Sequence, residues 1–161
     1  VREKLGDLKG LKIAIVGNIK HSRVARSNII GLNKLGAEVF LTAPKTLLPQ
    51  DIEKMGAKIR PLEESVKDAN VVMSLRMQME RQHSGLIPSR KEYGRFYALK
   101  EEILKIADKN VYIMHPGPMN RGIELTSEVA DCDKSVINEQ VTNGVAVRMA
   151  VLFLLTRGGK K

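Results

Sequence analysis

The sequence holds one cysteine, no tryptophan and only 4% aromatic residues. A lone Cys132 excludes an internal disulfide framework and fits a reducing compartment. No partner motif surrounds it, so it reads as a small side chain in a loop. Neither zinc-finger spacing nor an RNA-binding aromatic motif is present, and spacing suited to metal ligands is missing. The longest apolar runs fall well short of the ~18 residues that a membrane span requires. The start carries no signal-peptide pattern. These absences lead us to expect a cytoplasmic chain with no metal, no membrane and no nucleic acid among its partners. One further absence is local: no acidic residue stands between Asp7 and Glu38.

What is present suits a single domain with a core of its own. The chain has 161 residues, 43% of them hydrophobic. Its net charge of +9 and pI of 9.8 call for an anionic partner, which composition alone would make nucleic acid, an acidic surface or a small polyanion.

Apolar and amphipathic stretches alternate. Strands are expected at 11–17, 37–44, 57–61, 70–76 and 110–116, from β-branched or nearly continuous apolar runs. Between them the patterns predict a helix from Ser22 to Leu35, with Val24, Ala25, Ile29, Ile30, Leu32 and Leu35 inward. Shorter helices are expected from Pro49 to Met55 and over 62–69. An amphipathic helix is expected over 98–109, and a final helix over 136–155, apolar enough that much of it should be buried. Residues 77–97 show no clear period and read as a long mobile loop. Strand–helix alternation predicts an α/β, doubly wound, Rossmann-like parallel sheet of five strands in the order 3-2-1-4-5, with helices on both faces.

That order crowds three loops at the carboxyl ends of strands 1, 4 and 5, where open α/β sheets bind ligands. The first reads "GNIKHSR". Only one glycine stands where a dinucleotide fold would place three, which argues against a nicotinamide or flavin, so no cofactor is expected. Instead Lys20, His21, Arg23 and Arg26 crowd a helix start whose amides already favour anions. The second loop, "LRMQMER", carries Arg76, Gln78, Glu80 and Arg81. An arginine fork with an amide suits a carboxylate, and Glu80 would hold an arginine in place. The third, "HPGP", offers carbonyl oxygens at Pro116 and Gly117 and a candidate cis bond to Pro118. His115 reads equally as a base or as a structural histidine, and His21 and His83 receive no catalytic role. Two arginines, an amide and a ring of carbonyls suit a small amino acid with two carboxylates.

The segments "GDLKGLKIAIVGNIKHSRVARSN", "VVMSLRMQMER", "MHPGPMNRGIEL" and "NGVAVRMAV" resemble, in order and separation, the second, aspartate-binding domain of aspartate carbamoyltransferases. The likeness covers essentially the whole chain. The sister ornithine carbamoyltransferases carry a His-Cys-Leu-Pro loop where this chain reads His115-Pro116-Gly117-Pro118. The resemblance implies transfer of a carbamoyl group from carbamoyl phosphate to L-aspartate, an early step of pyrimidine biosynthesis. It implies Arg23 on the α-carboxylate and Arg76 with Gln78 on the β-carboxylate. Backbone oxygens at Pro116 and Gly117, beside Pro118, would hold the carbamoyl nitrogen. Glu80 would orient Arg76, Arg81 would bridge to the other domain, and Lys20 joins this orienting and interdomain group. No side chain reads as a general base, so no catalytic residue is assigned.

The family binds carbamoyl phosphate through a first domain whose motifs are missing here, and its catalytic unit is a homotrimer. Residues 1–10 then read as an interdomain helix end and linker, with residues 11–161 as the aspartate-binding domain. The chain alone is expected to be inactive. Two other readings stay open at this point: a structural or regulatory module of the same fold, and a basic nucleic-acid-binding domain.

Overall fold

A computed structural model describes residues 1–77 and 89–157. Five strands form one parallel sheet: β1 (Lys12–Val16), β2 (Glu38–Thr42), β3 (Ala57–Ile59), β4 (Val71–Ser74) and β5 (Tyr112–Met114). Their order is β3-β2-β1-β4-β5, as the alternation predicts. In register, Ile13 faces Val39 on one side and Val71 on the other, and Val71 faces Tyr112.

Side chains alternate across a strand, so β1 feeds two cores. Ile13 and Ile15 join Val39, Leu41, Val71 and Met73 on one face. The helix α2 (Arg23–Lys34) covers that face with Ala25, Ile29 and Leu32. On the other face Ala14, Val16, Val72 and Ile113 meet Leu62 and Val66 of α3 (Leu62–Val66), together with Leu99, Leu125 and Val129. A strand covered on both faces needs an unbroken apolar run, and residues 13–16 of β1 are all fully buried.

The boundaries differ from the sequence reading in instructive ways. Ile30 and Leu35 are about half exposed, because α2 buries a narrower stripe than its composition offers. The stretch before Gly56 is a 3-10 turn, Ile52–Met55, preceded by another at Lys45–Leu47. The region expected to be a structureless loop holds α4 (Arg90–Tyr97). Ser89 caps it by accepting from the Glu92 N–H, a Ser-x-x-Glu signal that a search for apolar period passes over. The helix expected over 98–109 is a single turn, α5 (Glu101–Leu104). The backbone beyond it turns away to pair with the entry to β4: the Ile106 carbonyl accepts from Asp68 N–H at 2.9 Å, and Asp108 N–H donates to the Ala69 carbonyl at 3.2 Å. A short α6 (Ser127–Ala130) lies where a plain loop is expected.

The largest correction concerns the last helix, α7 (Ile137–Arg157). Burial was expected, yet Ile137 is its one buried residue. Val145, Met149, Leu152 and Leu155 are more than half exposed. Its first turns are anchored: Lys4 of α1 (Arg2–Leu5) reaches Glu139 at 2.7 Å, Asn143 donates to Glu3, and Gln140 accepts from the His115 N–H. Among the described residues, no helix is long and apolar enough to cross a membrane.

Candidate functional site

The loops leaving β1, β4 and β5 meet at the point where the strand order reverses. They enclose a cavity of about 360 Å³, at the small end of ligand pockets. Arg23, Arg76, Pro116 and Gly117 line it, joined by Asn18, His21, Ser22 and Val24. Four residues assigned from three separate loops therefore line one cavity. A larger hollow of about 730 Å³ lies against α4 and shares no lining residue with this one.

The β1 loop is built to bring its backbone close to the β4 loop. Gly17 has φ +127°, and a Cβ there would stand 3.0 Å from the Leu75 carbonyl oxygen. The chain then turns through Asn18. Its side-chain oxygen accepts from the His21 N–H at 3.3 Å and from His21 Nδ1 at 2.9 Å. A carbonyl oxygen only accepts, so Nδ1 carries the proton. Asn18 is 1% exposed, and its Nδ2 has no hydrogen-bond partner among the described residues.

Ser22 caps α2 by accepting from the Ala25 N–H at 3.0 Å, which sets Arg23 at the first helical position. No acid occupies that first turn. An uncompensated cation there costs a few tenths of a kcal/mol, whereas burying Ile29 and Leu32 contributes roughly 1.5–3 kcal/mol each. Packing therefore fixes the helix, and its positive end stays available to an anion.

Arg76 is half-buried, with both neighbouring peptides fixed. Leu75 N–H donates to the Val16 carbonyl at 2.8 Å, and Met77 N–H donates to the Glu124 carboxylate at 2.7 Å. On the third loop the Gly117–Pro118 bond is cis. Gly117 has φ +62° and donates its N–H to His115 Nδ1 at 2.9 Å. His115 is fully buried. Burial first, and then the Arg76 charge, press its pKa down to about 4. It is neutral near pH 7, with Nδ1 accepting and Nε2 protonated. Its Nε2 stands 3.8 Å from Glu124, too far for a hydrogen bond, and the two form no ion pair at that pH. Its full burial, its Nδ1 bond to Gly117 and its place outside the cavity lining favour the structural reading of His115.

Lys20 is exposed and stands outside the cavity wall; its carbonyl accepts from Arg26 at 3.4 Å. Pro118 is exposed beside the rim. Gln78, Glu80, Arg81 and His83 lie outside the described residues. Sequence reasoning missed Asn18, Asn120 and Glu124. An Asn three residues before a histidine at a strand end signals a local side-chain turn, and a lone acid in the run "GIEL" signals a buried, paired carboxylate. Among the described residues, no cluster of His, Cys, Asp and Glu is arranged to hold a metal.

Comparisons with known proteins bear on the family and the fold. A family model described as Aspartate/ornithine carbamoyltransferase, Asp/Orn binding domain, matches residues 9–155. The aspartate carbamoyltransferase catalytic subunit of Acetivibrio thermocellus is 60% identical over 156 residues, covering 96% of this chain and 50% of that protein. Among solved structures, the ornithine carbamoyltransferase from Pyrococcus furiosus matches with a TM-score of 0.82 at 30% identity, over 99% of this chain and 54% of that one. The aspartate transcarbamoylase from Trypanosoma cruzi, in complex with phosphate, matches with a TM-score of 0.72 at 27% identity, over 94% and 52%. The chain spans about half the length of the curated relatives it matches. A family match over nearly every residue, on a sheet of the order those relatives share, leads to one assignment: the chain belongs to the aspartate/ornithine carbamoyltransferase family, in its Asp/Orn binding domain.

Proposed function

We propose that this chain is the aspartate-binding half of an aspartate carbamoyltransferase, with residues 1–10 as the link to a carbamoyl-phosphate-binding half and residues 11–161 as the acceptor domain. The observation that carries the reading is the shared cavity wall of Arg23, Arg76, Pro116 and Gly117. Arg23 takes the α-carboxylate of L-aspartate, and Arg76 with Gln78 takes the β-carboxylate. The carbonyl oxygens of Pro116 and Gly117 accept from the carbamoyl nitrogen. Glu80 orients Arg76, and Arg81 and Lys20 face the missing half.

Two guanidinium groups also choose between acceptors. A dicarboxylate meets both with opposite charge. The ammonium of an ornithine side chain would meet Arg76 with like charge, at a cost of about 1–4 kcal/mol near 4 Å. The relatives named aspartate carbamoyltransferase at 53–60% identity support the same choice.

The reaction joins the aspartate nitrogen to the carbamoyl carbon and breaks that carbon's bond to the phosphate oxygen. The departing phosphate accepts the proton that the amine loses, so no protein base is required. The chain's residues contribute orientation and charge.

The apolar length of α7 fits a helix that packs on the missing half, which would also supply the carbamoyl-phosphate contacts and the trimer interface. The single cysteine and the water-soluble substrates support a cytoplasmic location. Each charge-assisted bond contributes about 1.5–3 kcal/mol while association costs several, so this chain alone binds L-aspartate at roughly 1 mM or weaker. The test is transfer of radiolabelled carbamoyl groups to L-aspartate. Turnover by the full-length protein and none by these 161 residues is expected. Sustained turnover by this chain alone would overturn the half-enzyme reading.

A further inference from the structure

One buried carboxylate behind the cavity wall ties two of its loops together. Glu124 is fully buried. One of its oxygens accepts from Met77 N–H at 2.7 Å and from Asn120 Nδ2 at 2.6 Å; the other accepts from Asn120 N–H at 2.6 Å. Its own backbone carbonyl accepts from Leu99 N–H and from the Ser74 hydroxyl at the end of β4. Met77 follows Arg76 directly, while Asn120 ends the loop that presents Pro116 and Gly117. Arg76 and the carbonyl rim leave the paired strands β4 and β5, but beyond Met73 and Met114 the ladder ends and the loops part; Asn120 Nδ2 reaches the Met77 carbonyl there only at 3.4 Å. The Glu124 carboxylate supplies the short bonds that hold them together past the ladder.

We propose that Glu124 is a positioning residue of the acceptor site: it pins the peptide after Arg76 to the His115–Asn120 loop, so that the guanidinium and the Pro116–Gly117 rim face one ligand. This rests on the acceptor-site reading above. A carboxylate suits the task because all three of its partners are N–H donors and both of its oxygens accept. An amide at the same place keeps one acceptor and turns its NH2 toward a donor. Asp would fall one methylene short of the span.

Glu124→Gln in the full-length protein tests the proposal, with circular dichroism confirming the fold. Backbone amide exchange at Met77 and Asn120 is expected to quicken at least tenfold. KM for L-aspartate is expected to rise at least tenfold, and Glu124→Gln is expected to change kcat/KM less than twofold when added to Arg76→Ala. That non-additivity separates a residue acting through Arg76 from a merely structural one, whose effect would add. Should Glu124→Gln fail to fold, Asn120→Ala removes one of the three bonds to the carboxylate, together with the 3.4 Å contact from Asn120 Nδ2 to the Met77 carbonyl, and is expected to move the same readouts in the same direction, about threefold. Unchanged exchange at Met77, an unchanged KM, or additivity with Arg76→Ala overturns the proposal. Exchange at Met77 needs no substrate, so it tests the pin even where L-aspartate fails as acceptor. If another amino acid is the acceptor, the double-mutant cycle is read with that one, and only the substrate reading falls.

Discussion

Arg23 and Arg76 line the same cavity although β2, β3 and β4 lie between them in the chain. The strand order returns β4 to the side of β1, and that return brings the two residues to one cavity. If each grips one carboxylate, removing either leaves the other at work. Arg23→Ala and Arg76→Ala in the full-length protein are each expected to weaken L-aspartate binding about 10- to 100-fold, the equivalent of roughly 1.5–3 kcal/mol. Arg23→Ala should leave the melting temperature nearly unchanged, because that side chain is exposed. Titration calorimetry checks both; equal affinity in wild type and Arg23→Ala would remove Arg23 from the site.

His115 makes stability depend on pH. Its folded pKa, about 4, lies below the ordinary histidine value of 6.5. Between those values the unfolded chain holds the proton more readily than the folded one, so stability falls as pH drops from 6.5 toward 4. The full effect is on the order of 3 kcal/mol. Glu124, raised chiefly by burial, works in the opposite direction: its contribution falls as pH rises past its unfolded value. Comparison with His115→Asn isolates the histidine. The Asn oxygen still accepts from the Gly117 N–H, and nothing at that position titrates. Urea denaturation of the variant between pH 4 and 6.5 should show a flatter slope than wild type. Parallel slopes would mean that His115 is not held neutral.

Gly17 cannot carry a side chain without moving the site. At φ +127° any Cβ is strained, and it would meet the Leu75 carbonyl oxygen at 3.0 Å and the Tyr93 hydroxyl at 3.3 Å. Backbone cannot yield as a side chain can. Gly17→Ala is expected to cost about 2–5 kcal/mol and to weaken acceptor binding by separating the β1 and β4 loops. Gly10, at φ +77° with open space around it, is the control. Gly10→Ala should cost only about 1–2 kcal/mol and leave binding alone.

The sheet was legible in the sequence because each strand buried on both faces needs an unbroken apolar run, and each run is bounded by a glycine, a proline or a charged turn. The switch point followed from strand order alone, and with it the convergence of "GNIKHSR", "LRMQMER" and "MHPGPMN". Short helices were legible only in part: the one expected over 62–69 is α3, Leu62–Val66, whereas α4 buries only Tyr93, so it has a cap but almost no period. The link that Glu124 makes between loops was not legible either: Asn120 is near in sequence, but only the folded chain brings Met77 to the carboxylate. The burial forecast for α7 failed because apolar content says that a face needs a partner, and not that the partner lies within these residues.

That failure supplies a measurement. Leu152 and Leu155 are 57% and 73% exposed here. In this chain alone, replacing both with Glu removes little buried surface, so its folding free energy should move by no more than about 0.5 kcal/mol per site. If α7 packs on the missing half, the same leucines are buried in the full-length protein, where each contributes about 1.5–3 kcal/mol. Leu152→Glu with Leu155→Glu should then destabilise the full-length protein by several kcal/mol while sparing the shorter chain. The double variant of the shorter chain should also bind less of a hydrophobic dye, since a contiguous apolar helix face attracts such probes. Denaturant titration of both lengths decides the matter: equal losses in the two would show that the helix meets nothing beyond what these residues provide.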